Sequence, residues 1–144
     1  MPKFFKTTTA PYAQQQMFDL VADVGAYPEF LPFCTKTEIH KNSETHMIAD
    51  MHIGYKGFTG AFQSNVTKDS PHTLKIEQTH GSLKYLHSTW SFKSQPLQTS
   101  SFIEFTIDFE PKSWLLGKIL PPLLNEMGNV MIQSFLNRAA IIYA

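Results

Sequence analysis

The run Phe102-Ile103-Glu104-Phe105-Thr106-Ile107-Asp108-Phe109 and, after a break, Leu123-Leu124-Asn125-Glu126-Met127-Gly128-Asn129-Val130-Met131-Ile132-Gln133-Ser134-Phe135 decide the fold between them. In the first, Ile103, Phe105, Ile107 and Phe109 alternate with Phe102, Glu104, Thr106 and Asp108. That is the period of two of a strand with one apolar face. In the second, Leu124, Met127, Met131, Phe135, Ala139 and Ile142 recur at steps of three and four, and Leu123 and Val130 widen the stripe. That is the period of an amphipathic helix. Pro121-Pro122 fits its first turn, where a proline loses no intrahelical hydrogen bond.

Upstream, the period of two continues. Met47, Ala49, Met51 and Ile53 alternate with His46, Ile48, Asp50 and His52, and Phe58, Phe62 and Val66 share a face. Leu74 and Ile76 follow the Ser70-Pro71 turn; Leu86, Trp90 and Phe92 lie opposite Tyr85, His87, Thr89 and Lys93. Gly54, Gly57 and Gly60 mark a turn or bulge. Short turns separate these runs, so an antiparallel meander of about six strands is the economical topology. In front of it, Lys3 to Thr9 forms a β-prone opening strand. Pro11 precedes a helix carried by Ala13, Met17, Leu20, Val21 and Val24, which Gly25 ends. Tyr27-Pro28-Glu29-Phe30-Leu31-Pro32-Phe33-Cys34 is too proline-rich for a long helix and reads as one apolar helical turn.

The fold class is therefore α+β. An apolar sheet face has to be covered, and the C-terminal helix is the one element large enough to do it. The expectation is a single domain over residues 1–144, a curved antiparallel sheet wrapped around that helix, with a space between them for a ligand.

Composition narrows the function. Twelve Phe stand against five Tyr and two Trp, and Phe brings apolar area without a polar handle, as a core or a cavity wall requires. Twelve Lys plus Arg balance twelve Asp plus Glu, and Arg138 is the sole arginine. Gripping a phosphate backbone takes a dense basic face, so direct DNA binding is not expected. Cys34 has no second cysteine to pair with, which points away from an oxidising compartment. The opening MPKFFKTTTA has neither a signal core nor an arginine-rich presequence. Apolar stretches fall far short of the roughly 20 residues of a spanning helix. These features lead to the expectation of a soluble, cytoplasmic protein.

Catalytic and metal chemistry find little support. His46, Asp50 and His52 share a strand face, but it is the polar one, and solvated histidines are the simpler reading, so no metal is expected. Cys34 has no histidine motif tied to it and suits a small, partly buried position. Gly-x-Ser-x-Gly and glycine-rich phosphate loops are absent. Ser113-Trp114-Leu115-Leu116-Gly117-Lys118-Ile119-Leu120, just before the double proline, is unusually apolar. Two readings stay open: one more core turn, or a gate in which Trp114, Leu115 and Leu116 touch a membrane, with a continuous helix not expected there.

The order of elements and several strings resemble the coenzyme Q-binding START-domain family, polyketide cyclase-like helix-grip proteins that also include bacterial ribosome association toxins. The main match is Asp23-Val24-Gly25-Ala26-Tyr27-Pro28-Glu29-Phe30-Leu31-Pro32-Phe33-Cys34, similar to the family's Asp-Val-x-x-Tyr-Pro-x-Phe-x-Pro-Trp-Cys. Trp90-x-Phe92, Phe109-Glu110-Pro111-Lys112-Ser113 and Phe135-Leu136-x-Arg138-Ala139 follow in order. Phe33 stands where the family more usually has Trp. The resemblance implies a helix-grip fold with a hydrophobic cavity for an isoprenoid quinone (ubiquinone) or similar lipid, in support of respiration. It implies a competing role on the large ribosomal subunit for bacterial members. No further cofactor, and no enzyme activity, is expected. The expected ligand-binding residues are Phe30, Leu31, Phe58, Phe62, Trp90, Phe92, Phe105, Met127, Met131 and Phe135. Transient contact with the inner membrane, on the matrix side in a mitochondrion, would accompany exchange of the lipid.

Overall fold

The structure, a computed structural model, describes residues 3–143 except 56, 57, 98 and 113, with side chains at all of these but 58, 114–117 and 119–121. Seven strands form one antiparallel sheet: β1 (Lys3–Ala10), β2 (Cys34–Asn42), β3 (His46–Tyr55), β4 (Phe58–Asp69), β5 (Thr73–Gly81), β6 (Leu83–Ser94) and β7 (Ser101–Pro111). Their order across the sheet is β1-β7-β6-β5-β4-β3-β2. The meander thus runs back from β7 to β2, and the opening strand is added beside β7 in a register that sets Lys3 opposite Asp108 and Ala10 opposite Ser101. Helix α1 (Gln14–Ala22) and a 3₁₀ turn (Val24–Glu29) lie between β1 and β2, and α2 (Trp114–Ile142) follows β7.

The expected helix ending at Gly25 is corrected to two pieces. Asp23 leaves the helical region with ψ at 69°, and the 3₁₀ turn takes over with Pro28 inside it. At the start of α1, the Ala13 N–H donates to Gln16 Oε1 at 2.9 Å, a side-chain partner for a backbone group the helix cannot satisfy. Val21 supplies the carbonyl that accepts the Tyr27 hydroxyl, which fastens the 3₁₀ turn to α1.

The double proline is a second correction. α2 is one continuous 29-residue helix from Trp114, and Pro121-Pro122 lies within it rather than at its start. Proline's φ is already helical; what it removes are the N–H groups that would bond the carbonyls four residues earlier, on Gly117 and Lys118. Both lie in the opening turns, and Lys118 and Pro122 are exposed to water. Leu124, Ile132, Phe135 and Ala139 are buried and hold the rest of the helix down. Ile142, expected on the buried stripe, is 48% exposed, because the helix there has passed the edge of the core.

Candidate functional site

The sheet's inner face and α2 do not meet evenly. The α2 backbone comes closest to β1 and β7 and stands off the β3–β6 part of the sheet. Gly128 makes the close approach: a Cβ there would sit 2.5 Å from the ring of Phe4, which is itself buried. Beside this contact the gap stays open as a cavity of about 130 Å³, which Gly128 also borders.

Leu31, Phe62, Trp90, Phe105, Met127, Met131 and Phe135, all expected at the site, line it. Part of the wall, which we term its floor, is a packed aromatic cluster. Trp90 lies 4.3 Å from Phe105 between ring centroids, and Phe135 meets Trp90 and Tyr27 edge-on at 5.3 Å each. These four rings are almost wholly buried, whereas Phe62, Met127 and Met131 are half-buried.

Two expected residues lie elsewhere. Phe92 is 1% exposed and stands behind Trp90, stacked on it at 6.1 Å and edge-on to Phe18 of α1, inside solid core. Phe30 packs on the outer side of Phe135 at 5.2 Å and carries the Arg138 guanidinium 5.2 Å above its ring. Arg138 also meets Glu29 at 3.3 Å, tying α2 to the 3₁₀ turn. The side chains of Phe58, Trp114, Leu115 and Leu116 lie outside the described residues.

Other lining residues are ones the sequence places only on strand or helix faces: Met51 and Ile53 on β3, Ile76 on β5, Leu86 on β6, Ile107 and Phe109 on β7, Leu124 on α2; Leu83 at the start of β6 joins them without a signal in the alternation. Alternation shows that such residues point inward, but not that the layer above has lifted away. Tyr27 and Phe33 belong to the proline-rich string and come to the cavity with Leu31.

Electrostatically the wall is bare. No polar surface faces the cavity from its described lining, although Ser88 and Tyr27 contribute to it. The Tyr27 hydroxyl is spent on Val21, and burial pushes its pKa well above the ordinary phenol value. Cys34 is buried at the start of β2, and burial pushes its thiol up to about 11, so it is an unreactive core group.

Polar groups gather instead on the outer face. Asp50 pairs with His40 of β2, Oδ2 to Nε2 at 2.7 Å, and accepts from Gln63 at 3.1 Å. Glu38, opposite Asp50 in the register, brings a third ligand-type atom to within 4.8 Å of the others. Asp50 thus works with its cross-strand neighbours rather than with His46 and His52 along its own strand. Among the described residues, no helix is long and apolar enough to cross a membrane.

Residues 10–136 match the family model described as "Polyketide cyclase / dehydrase and lipid transport". Ribosome association toxin RatA of Escherichia coli strain K12 is 32% identical over 145 residues, covering 100% of this chain and 90% of that protein. The mitochondrial coenzyme Q-binding protein COQ10 of Drosophila melanogaster is 29% identical over 143 residues, covering 94% of this chain and 59% of that one. A START superfamily protein from Mycobacterium smegmatis superposes with a TM-score of 0.84 at 16% identity, over 97% and 98% of the two chains, a likeness of fold.

Proposed function

Because the chain belongs to the polyketide cyclase/dehydrase and lipid transport family, we propose that it binds an isoprenoid quinone, ubiquinone or a similar hydrophobic lipid, and acts as a lipid chaperone for respiratory electron transport. The observation that carries this reading is the apolar cavity between the sheet and α2. A hydrocarbon chain gains about 0.8 kcal/mol for each CH₂ it buries there. Met127 and Met131 are unbranched and can adapt to a flexible chain. The likeness to a coenzyme Q-binding protein supports the choice of lipid. We read the chain as a binding protein and not an enzyme: a cavity bare of polar surface in its described lining offers no acid–base pair. Trp114, Leu115 and Leu116, in the first turn of α2, are assigned as the membrane-touching gate.

The test is organic extraction and mass spectrometry of protein purified from its own host, with uptake of added ubiquinone measured alongside. A quinone or other long-chain lipid is expected in the extract. Protein that comes empty and takes up no added quinone would overturn the reading.

A second reading, association with the large ribosomal subunit, rests on the end-to-end likeness to the RatA protein. The balanced charge and sole arginine argue against a grip on ribosomal RNA. Stoichiometric co-sedimentation with large subunits at physiological salt would put this reading first.

A further inference from the structure

The cavity wall is uneven in how deeply its residues are buried. Its floor is closed by the rings of Tyr27, Trp90, Phe105 and Phe135, none more than 4% exposed, while wall residues such as Phe62 and Met127 are half-buried. No polar surface faces the space from the described lining, and its phenol is already bonded to the Val21 carbonyl. A quinone ring carries several carbonyl and ether oxygens. Inside such a wall they would lose their hydrogen bonds to water and gain none, whereas an alkyl or isoprenoid chain gives up nothing.

We propose that this site recognises the chain and not the head: an amphiphile enters tail first, its chain end against the aromatic floor, and its polar head stays outside the enclosed space. This rests on the reading of the cavity as a lipid site, and narrows it. Selectivity then follows chain length and apolar shape. Long-chain quinones, isoprenoid alcohols and fatty alcohols compete for one space.

Two measurements test it on the full chain. Straight-chain alcohols of increasing length are titrated beside a long-tailed quinone and a quinone ring carrying no chain. Affinity should rise about fourfold per added CH₂, the ratio equivalent to the usual methylene burial, until the chain fills the space. The chainless ring should bind no more tightly than the shortest alcohol. In Trp114→Phe, which leaves Trp90 as the sole tryptophan, an alcohol brominated at its chain end should quench fluorescence more than one brominated beside the hydroxyl. If the chainless ring binds as tightly as the long-tailed quinone, or the bromine beside the hydroxyl quenches more, the tail-first mode is wrong while the lipid reading stands. If no chain binds at all, both fall.

Discussion

Gly81 and the His40–Asp50 pair put the local physics on measurable terms. Gly81 closes β5 with φ at +152°, and a Cβ there would lie 2.6 Å from Phe62 Cα. Gly81→Ala therefore meets both a strained backbone and a main-chain clash, and urea titration should register a loss of about 1–3 kcal/mol or more. The His40–Asp50 pair sits in water, so its effect is read through pH. The hydrogen bond to Asp50 raises the His40 pKa above its ordinary 6.5, and the bonds from His40 and then Gln63 lower that of Asp50 below 3.8. The histidine's contribution is complete below 6.5 and is lost as pH rises through its raised value. The carboxylate's is complete above 3.8 and is lost as pH falls through its lowered value. The stability difference between the parent protein and His40→Ala should thus be largest between these two values and shrink towards alkaline pH. At this scale the sequence reveals which way a side chain points, but not how deep it lies. Trp90 and Phe92 alternate on one face, yet one ring borders the cavity and the other is sealed behind it.

Among the elements, α2 is where propensity and packing oppose each other most directly. In an isolated helix Gly128→Ala would gain about 1 kcal/mol. Here the added carbon meets the buried Phe4 ring at 2.5 Å, and that ring is held against Phe105 at 6.1 Å. Net destabilisation of about 1–3 kcal/mol is expected in thermal or urea melts. Phe135→Ala should cost about 3 kcal/mol, the low end of the range for a buried Phe, because one side of the ring already borders empty space. If Phe135 forms part of the lipid floor, lipid uptake should fall in the same variant; a stability loss with uptake unchanged would make it core alone. The meander and the long helix were readable from periodicity and the opening strand from its β-prone residues, but nothing local placed that strand beside β7, because the pairing joins the two ends of the sheet's sequence. Nor was the start of the long helix readable. Local rules place a double proline in a first turn, and what overrides them is the anchoring of the later turns at Leu124, Ile132, Phe135 and Ala139.

For the whole molecule, the proposed lipid-carrying role makes exchange matter as much as binding. A long-tailed lipid crosses water slowly, so the opening turn of α2 should meet the bilayer. Replacing Leu115 and Leu116 with Ser would remove apolar contact of some 2–6 kcal/mol, counting each Leu at its usual burial value. Quinone transfer between vesicles should slow while binding in detergent changes far less. Unaltered transfer, or an unfolded variant, would reassign the segment to packing. The helix-grip architecture follows from the order of elements, and the proline-rich string brings Tyr27, Leu31 and Phe33 to the cavity. The clearance between the layers, by contrast, is a property of assembly: Gly128 brings the helix down onto Phe4 and itself borders the space left beside that contact.

The pairing of β1 with β7 also sets when the fold can be finished. β1, synthesised before the other strands of this sheet, lies in register with β7, synthesised after them, Lys3 against Asp108 and Ala10 against Ser101, with the whole meander in between. Until β7 has been synthesised, β1 has no neighbour in the sheet, and closing so long a loop is an entropic cost that the contacts repay only afterwards. Folding should accordingly be slow for the chain's size, on the order of milliseconds to seconds, the range of domains dominated by distant pairings. Nascent chains stalled before residue 101 should expose β1 to protease, and release of the full chain should protect it.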